Sequence, residues 1–319
     1  MKIGMLFSGY GGQYVGMGKD LYDNSRVMQE LFEEASNCLG INFVKLCFAS
    51  SDAELSSLEN AYVAIFLIEV SLYALLNESG VSADLFAGHD IGEFAALFSA
   101  GSLSLPDSLY LLNKYARAYQ ELLSTMKISV VRVSGIPVNE IKKLCVSCST
   151  PEARVDVAGF ESAESAYVSG IREGVIAFID KVHESTSAYV EEIDVAFGLH
   201  SKLMNEVVEK IKMYQEKVDF KDLKIPLINA VDGVCIKGGE SAKYSVMRQI
   251  NEPIVWDQVM ENFVGSDVIV IIGPGSQLAT IAQQTFPDKK IFSVNTKSDI
   301  KQVSDYLKGE QHDGFSVKK

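Results

Sequence analysis

Residues 86–97 read FAGHDIGEFAAL, an apolar run that passes through the segment GHDIG (88–92) into residues that favour a helix. A glycine two residues before and two residues after a polar residue permits a sharp turn from a strand into a helix, because glycine tolerates strained and crowded backbone. Such a turn, called a nucleophile elbow, lifts its central side chain above the sheet. The usual form is Gly-x-Ser-x-Gly, so this sequence predicts an elbow with Asp90 in the serine position.

Strands and helices alternate in the segments around the elbow. The apolar residues 3–8 predict a strand that leads into a glycine loop at 9–12, and apolar residues at helical spacing predict a helix within 53–77. Further along the chain, the apolar run 268–272 predicts a buried strand. Alternation of this kind is typical of an α/β fold with a parallel sheet that helices cover on both faces.

The segment 126–195 has a different pattern. Its predicted elements follow the order strand, helix, strand, strand, helix, strand, at residues 128–133, 138–145, 154–158, 166–169, 173–184 and 189–195. That order is typical of a ferredoxin-like unit. The sequence therefore predicts a large α/β core formed by residues 1–125 and 196–319, with a small ferredoxin-like subdomain inserted at 126–195.

Six segments of the chain resemble, in order and in spacing, motifs of the malonyl-CoA:acyl-carrier-protein transacylases. They are 7–13 (FPGQGSQ in the family), 88–97 (GHSxGE), 199–204 (FHSxxM), 228–232 (NxxD), 248–256 (RQxxxPVxW) and 272–275 (GPG). The resemblance extends from residue 3 to about residue 295. It implies an α/β-hydrolase-like core, a thioester-binding cleft beside the small subdomain, and an acyltransferase of fatty-acid or polyketide synthesis.

The same resemblance implies a role for each matching position. In that family the elbow serine attacks an acyl-CoA thioester, a histidine acts as its base, and backbone amides hold the oxyanion. The acyl group then passes to the phosphopantetheine thiol of an acyl carrier protein. Carried over, this places Asp90 in the nucleophile position, His200 as base and Gln249 as the partner of that histidine. The amides of Tyr10 and Ile91 become the oxyanion donors, and no metal or other cofactor is implied.

Other positions of the predicted site depart from the family pattern. The family's arginine that pairs with a malonyl carboxylate corresponds to Tyr115, and two family glutamines correspond to Tyr10 and Ala61. Arg117 lies two residues after Tyr115, about 200° further round a helix. Tyr115 and Arg117 are both predicted to bind substrate. A buried malonyl carboxylate without a bidentate arginine is costly, so we expect weak selectivity for malonyl and a preference for apolar or hydroxylated acyl chains.

Asp90 leaves three functions open. As a nucleophile it would form a mixed anhydride with the acyl group, which is a poor store for transfer but is readily hydrolysed. As an ion pair with His200 it would orient a water as general base, which would make the protein an acyl-thioester hydrolase. As a simple cap of its helix it would leave a dead site that only binds carrier protein or partner enzymes. The sequence predicts an acyltransferase with an altered nucleophile, with the hydrolase and the non-catalytic binding protein as alternatives.

Charge and composition limit the partners and the compartment. The net charge of −13 argues against nucleic acid and anionic membranes. Carrier proteins are acidic, so docking one requires a local basic patch, to which Lys114, Arg117, Lys202 and Lys212 could contribute. No uninterrupted apolar run reaches the roughly 18 residues of a membrane span, and the chain start is too short for a signal peptide. With five cysteines, an odd number that fits a reducing compartment, we expect a cytoplasmic protein, monomeric by default.

Overall fold

Two sheets organise the chain, one of six strands and one of five. The computed structural model describes the backbone of residues 1–316 and the side chains of residues 1–196 and 198–309. In chain order the elements are β1 (Ile3–Phe7), α1 (Lys19–Tyr22), α2 (Arg26–Leu39), α3 (Phe43–Ala49), α4 (Asp52–Leu55), α5 (Leu58–Glu78), β2 (Leu85–Gly88), α6 (Gly92–Ser99), α7 (Leu105–Thr125), β3 (Ile128–Ser134), α8 (Val138–Cys148), β4 (Val155–Ser162), β5 (Ser165–Ile171), α9 (Arg172–Ser185), β6 (Tyr189–Ile193), α10 (Asn205–Gln215), β7 (Leu227–Ile228), β8 (Cys235–Ile236), α11 (Gly239–Asn251), β9 (Ile254–Val255), α12 (Trp256–Glu261), β10 (Val268–Ile272), α13 (Gln277–Thr285), β11 (Lys290–Val294) and α14 (Lys297–Ser316).

The six-stranded sheet runs in the order β11-β10-β1-β2-β7-β8. Every neighbouring pair is parallel except β7 and β8, which are antiparallel at one edge. All residues of β1 and β10 are buried, as expected for parallel strands with helices on both faces. This arrangement confirms the predicted α/β class.

Helix α5 packs against α2, α6 and α7 and is apolar almost throughout. Among the helices of the described residues it is the one that is long and apolar enough to cross a membrane. The expectation from the sequence concerned uninterrupted apolar runs, and it did not identify α5 because Glu69 interrupts the run without ending the helix. Since 72% of its most apolar stretch is buried inside the fold, α5 is a core helix here.

The five-stranded sheet takes four strands from one continuous segment and a fifth from outside it. Its order is β6-β3-β5-β4-β9, and the first four strands lie within residues 128–193 together with α8 and α9. Strand β9 pairs in parallel with β4, so that Gly159 lies opposite Ile254 and Phe160 opposite Val255. Nothing in the sequence pattern indicates β9, because a two-residue strand depends on its tertiary partner. Through this pair the smaller sheet is joined directly to the segment that enters α12.

Candidate active site

Asp90 lies on the turn between β2 and α6. Its backbone is left-handed, with a φ of 52°, which a non-glycine residue adopts only when its surroundings impose it. A Cβ added to Gly88 would lie 2.1 Å from the amide nitrogen of Glu93, and one added to Gly92 would lie 2.2 Å from the carbonyl oxygen of Ser8. Close packing therefore requires both glycines, and the turn has the elbow geometry that GHDIG predicts.

His200 and Gln249 meet Asp90 from two other segments of the chain. Nδ1 of His200 lies 2.6 Å from the backbone carbonyl oxygen of Gln249. Because a carbonyl oxygen only accepts, Nδ1 carries the proton and Nε2 presents a lone pair. That Nε2 lies 3.6 Å from Oδ1 of Asp90. The structure thus brings the three predicted catalytic residues together.

Gln249 fixes the elbow as well as the histidine. Its side-chain Nε2 donates to the backbone carbonyl of Asp90 at 3.0 Å, while its own carbonyl holds His200. His200 also has a left-handed backbone, with a φ of 39°. The exposed fraction is 1% for Asp90, 2% for His200 and 3% for Gln249. One residue of α11 therefore sets the relative position of the other two, and the group is almost closed to solvent.

Burial governs the protonation of the Asp90–His200 pair. It raises the pKa of Asp90 to about 8, although the backbone amides of Ile91 and Tyr10 lower it. Burial also lowers the pKa of His200 to about 4, against the backbone of Gln249, which raises it. Near pH 7 the pair is therefore neutral, with a proton on Asp90 and a lone pair on Nε2 of His200.

The glycine loop after β1 packs directly against the elbow. A Cβ added to Gly9 would lie 2.8 Å from the carbonyl oxygen of His89 and 3.1 Å from Cβ of Asp90. The amides of Tyr10 and Ile91 are close enough to the Asp90 carboxyl group to lower its pKa. Neither carboxyl oxygen makes a hydrogen bond of ordinary geometry with a described residue. The two predicted oxyanion donors thus lie beside the group that would start the reaction.

Four buried tyrosines pack beside the elbow, and we call them the tyrosine cluster: Tyr10, Tyr62, Tyr115 and Tyr119. The ring centroids of Tyr62 and Tyr115 are 5.5 Å apart, and those of Tyr115 and Tyr119 are 6.2 Å apart. Burial raises the pKa of Tyr62, Tyr115 and Tyr119, and the charge of Asp90 contributes to each shift. The position that the family resemblance assigns to an arginine is therefore part of an aromatic wall.

Hydroxyl groups of the tyrosine cluster are bonded to the segment that precedes His200. Tyr62 donates to the carbonyl of Ala196 at 3.0 Å, and Tyr119 donates to the carbonyl of Val195. These bonds hold the rings against a short 3-10 helix, Val195–Phe197, that leads to His200. The cluster is thereby a fixed part of the site.

Arg117 is predicted to bind substrate, but its side chain is 59% exposed on the surface of α7. Its Nε pairs with Oε2 of Glu59 at 3.2 Å. Tyr115, two residues earlier on the same helix, is buried. Because two residues rotate by about 200° round a helix, the burial of Tyr115 directs Arg117 outward. The structure does not bring Arg117 together with the Asp90–His200 pair.

Sequence reasoning missed three residues of this region. Tyr119 lies one helical turn after Tyr115, so helical spacing was the available signal for it, and Tyr62 belongs to the apolar pattern of α5. Glu69 is fully buried, and a Cβ added to Gly273 would lie 2.5 Å from its Oε1. Burial raises the pKa of Glu69 well above its usual value, which favours the neutral form. A single acid within a long apolar helix was the signal for it.

Two cavities lie beside the elbow, and the smaller one borders His200. The outer cavity, of about 340 Å³, lies between the glycine loop and the loop after β10. The inner cavity, of about 10 Å³, borders His200 between the smaller sheet and helices α12 and α13, and it has room for about one water. The outer cavity is lined by residues 8–12, His89, 274–278 and Ile281, and the inner one by residues 158–161, His89, Tyr167, Gly198, His200, Ile254, Trp256 and Ile281.

Among the described residues, no group of three or more His, Cys, Asp or Glu side chains could hold a metal ion. The groups available for chemistry at the elbow are the carboxyl of Asp90, the imidazole of His200 and nearby backbone amides. Such a set suits acyl transfer or hydrolysis through proton transfer and nucleophilic attack.

Comparison with known proteins agrees with this geometry. A family model described as "acyl transferase domain" matches residues 5–312. The malonyl CoA-acyl carrier protein transacylase of Bacillus subtilis (strain 168) is 26% identical over 311 residues, which cover 97% of this chain and 98% of the relative. The protein of the same name from Staphylococcus aureus (strain COL) is 25% identical over 302 residues, which cover 94% of this chain and 97% of the relative.

Solved structures show the same similarity in three dimensions. FabD from Acinetobacter baumannii has a TM-score of 0.90 at 25% identity, covering 96% of this chain and 98% of that chain. A malonyl-transacylase solved in complex with its type II PKS acyl-carrier protein has a TM-score of 0.91 at 23% identity, covering 96% of this chain and 100% of that chain. The shared fold therefore extends over almost the whole chain.

Proposed function

Because this chain belongs to the acyl transferase domain family, we propose that it moves acyl groups from a CoA thioester to the phosphopantetheine thiol of an acyl carrier protein. The observation that carries the proposal is the buried Asp90–His200 pair, which Gln249 holds on the elbow. Relatives named malonyl CoA-acyl carrier protein transacylase support the two substrates, as does the complex of such an enzyme with its carrier protein. The transfer would serve fatty-acid or polyketide synthesis.

In the first half of this reaction, Asp90 acts where an elbow serine would act. Nε2 of His200 removes the carboxyl proton as Oδ1 of Asp90 attacks the thioester carbonyl. The amides of Tyr10 and Ile91 stabilise the oxyanion that forms on the former carbonyl oxygen. The intermediate then expels the CoA sulfur, which takes the proton from His200. The acyl group is left on Asp90 as a mixed anhydride.

In the second half, the phosphopantetheine thiol gives its proton to His200 and attacks the acyl carbonyl of the anhydride. Collapse of the intermediate releases the Asp90 carboxylate, which regains its proton from His200. One thioester is thus broken and one is made, and the enzyme returns to its starting state. An anhydride is higher in free energy than a thioester, so the acylated Asp90 is not expected to accumulate.

The acyl group proposed for this site is short and uncharged. The tyrosine cluster stands beside the elbow, with the hydroxyl groups of Tyr62 and Tyr119 already bonded to the backbone. Arg117 is at the surface and paired with Glu59. A malonyl carboxylate among these rings would lose its hydration without gaining a positive partner. Acetyl or a similarly small acyl group avoids that cost.

Hydrolysis of acyl thioesters is the second candidate function, and the inner cavity favours it. This cavity borders His200 and has room for about one water. A water in it could give a proton to His200 and attack the anhydride on Asp90, releasing a free acid. The same residues would then remove acyl groups from carrier proteins.

The proposal extends to the architecture and to the conditions in which the protein works. We propose that residues 126–195 form a ferredoxin-like subdomain inserted into an α/β-hydrolase-like core of residues 1–125 and 196–319. The strand order β6-β3-β5-β4, with α8 and α9, supports the first part, and the elbow between β2 and α6 supports the second. We further propose that the protein acts in the cytoplasm as a monomer, without metal or other cofactor.

One product analysis distinguishes the possible functions. The protein is incubated with acetyl-CoA and phosphopantetheinylated carrier protein, and both acetylated carrier and free acetate are measured by mass spectrometry. Acetylated carrier is the expected product, free acetate alone would establish the hydrolase, and neither product would overturn both in favour of a binding protein. His200→Ala is the control, which should abolish either reaction.

A further inference from the structure

We propose that the hydrogen bond between Gln277 and Tyr167 is a gate that controls access of a thioester arm to the Asp90–His200 pair. Nε2 of Gln277, the first residue of α13, donates to the hydroxyl of Tyr167 in β5 at 2.7 Å. The bond therefore crosses from a helix that packs on β11 to the smaller sheet. The identity of the arm rests on the proposed function, whereas the gate is a property of the chain itself.

The gate lies between two cavities of very different size. Gln277 lines the outer cavity of about 340 Å³, and Tyr167 lines the inner cavity of about 10 Å³. His89 and Ile281 border both of them. Only about one water fits the inner cavity, so a pantetheine arm cannot occupy it while its walls stay in place. An arm that passes from the outer cavity into the inner one separates Gln277 from Tyr167.

The inner cavity leads to the reactive face of His200. Gly198 lines that cavity, and a Cβ added to Gly198 would lie 2.6 Å from Nε2 of His200. This is the nitrogen that lies 3.6 Å from Oδ1 of Asp90. Both members of the pair are almost fully buried. A closed gate therefore separates the nitrogen that must exchange protons with the substrate from the outer cavity.

Tyr167 is anchored on the side of the smaller sheet. Its hydroxyl donates to Oε1 of Glu161 at 3.3 Å. Nε of Arg132 donates to Oε2 of Glu161 at 2.8 Å, and the Ser165 hydroxyl donates to the same oxygen at 2.6 Å. Gln277, by contrast, is exposed at the start of α13. Gln277 is thus the partner that can swing away while Tyr167 keeps its carboxylate anchor.

Loss of the gate leaves the smaller sheet bonded to the segment that enters α12 and to the segment that holds His200. Strand β9 still pairs with β4 through Gly159 and Ile254. The Ser169 hydroxyl of β5 still donates to the carbonyl of Leu199 at 2.7 Å. Variants that lack the Gln277–Tyr167 bond should therefore fold, which makes the gate testable by substitution.

The test measures access to residue 90 without requiring acyl transfer. The introduced thiol of an Asp90→Cys protein is alkylated with N-ethylmaleimide, and the rate at that residue is followed by peptide mass spectrometry. Adding Gln277→Leu should raise this rate about fivefold, the effect of losing one ordinary hydrogen bond on an opening equilibrium. Adding Tyr167→Phe, which also removes the bond to Glu161, should raise it at least as much. Tyr189→Phe removes an exposed tyrosine hydroxyl from the same sheet and is the matched control, which should leave the rate unchanged.

Coupling between the two substitutions gives the sharper readout. Both substitutions remove the Gln277–Tyr167 bond, and Tyr167→Phe also removes the bond to Glu161, so the double variant should alkylate no faster than Tyr167→Phe alone. Alkylation rates that multiply in the double variant would overturn the gate. An unchanged alkylation rate in both single variants would overturn it as well. Cys47 and Cys145 are buried, so an equal rise in their alkylation would reveal general loosening and would also overturn it.

The gate and the proposed function can fail separately. Unchanged alkylation in a protein that still acetylates its carrier would remove the gate and leave acyl transfer standing. Faster alkylation in gate variants of a protein that transfers and hydrolyses nothing would keep the gate and remove the proposed function. In that case the gate would control entry of a thioester arm that is bound but not cleaved.

Discussion

Nε2 of His200 lies 3.6 Å from Oδ1 of Asp90, and the two side chains are buried together at the elbow. This separation is longer than an ordinary hydrogen bond, so the two atoms must approach before a proton can pass between them. Nδ1 of the same ring is held by the carbonyl of Gln249, which leaves Nε2 as the accepting nitrogen. A protonated carboxyl group at this position offers a proton to His200 as an elbow serine would.

The first prediction concerns the pH dependence of stability. Folding raises the pKa of Asp90 from 3.8 to about 8, so above pH 6.5 the folded protein keeps a proton that the unfolded chain has released. The stability that this retained proton gives the folded protein is lost as the pH rises towards 8. His200, with a pKa lowered from 6.5 to about 4, is present in both proteins and cancels in a comparison of the parent with Asp90→Asn. Between pH 6.5 and 8 the free energy of unfolding of the parent should therefore fall by about 2 kcal/mol more than that of Asp90→Asn.

Urea unfolding at several pH values between 6.5 and 8 measures this difference. Other buried acids, such as Glu69, are present in both proteins and cancel in the comparison. Asp219→Asn, a change at an exposed acid, is the control and should follow the parent. Parallel pH profiles for the parent and Asp90→Asn would show that Asp90 is ionised in the folded protein.

The second prediction concerns Gln249, which we regard as a positioning residue. In an Asp90→Ser background, Gln249→Leu should slow self-acetylation at least about tenfold, because the elbow carbonyl loses its donor and the turn shifts. Gln215→Leu is a matched control, since the buried Gln215 amide donates to the carbonyl of Lys243 at 2.7 Å in the same manner. Both changes should cost about 1–3 kcal/mol of stability. Equal acetylation rates in the two variants would contradict the positioning role.

The third prediction concerns acyl selectivity. Acetyl-CoA should bind at least as tightly as malonyl-CoA, because the tyrosine cluster supplies no positive charge for a second carboxylate. Tyr115→Arg should shift the preference towards malonyl-CoA, while Tyr115→Phe should not. Isothermal titration calorimetry gives both affinities. A malonyl preference above about tenfold in the parent, or 1.4 kcal/mol, would refute the assignment.

The elbow could be predicted from sequence because its causes are local. Gly88 and Gly92 are required by contacts that follow directly from a tight strand-to-helix turn. Strand β9 could not be predicted, because two residues carry no periodic pattern and pair only once β4 is in place. The apolar length of α5 was likewise hidden by Glu69, whose tolerance depends on a neutral, buried state. Features that depend on neighbouring residues could be predicted from the sequence, and features that depend on contacts made in the folded chain could not.

For the site, motif spacing predicted which residues meet but not what surrounds them. Asp90, His200 and Gln249 were named from motifs and lie together in the structure. Arg117 was included through its nearness in sequence to Tyr115, yet helix geometry directs it to the surface. The Gln277–Tyr167 bond joins residues 110 apart in sequence, for which no motif or period gives a signal.

The most decisive measurement concerns acylation of the elbow itself. Asp90→Ser restores a hydroxyl above a pair of backbone donors and beside His200, so it should form a stable acyl ester with acetyl-CoA. The parent should accumulate none, because an aspartyl anhydride reacts on. Asp90→Ser/His200→Ala should also remain unmodified, because it lacks the base.

Intact mass spectrometry of the three proteins after incubation with acetyl-CoA reads out all of these outcomes. We predict one acetyl group on Asp90→Ser, located at residue 90 by peptide mapping, and none on the parent or the double variant. A folded Asp90→Ser protein that stays unmodified would contradict the claim that Asp90 occupies the nucleophile position of a competent acyl-transfer site.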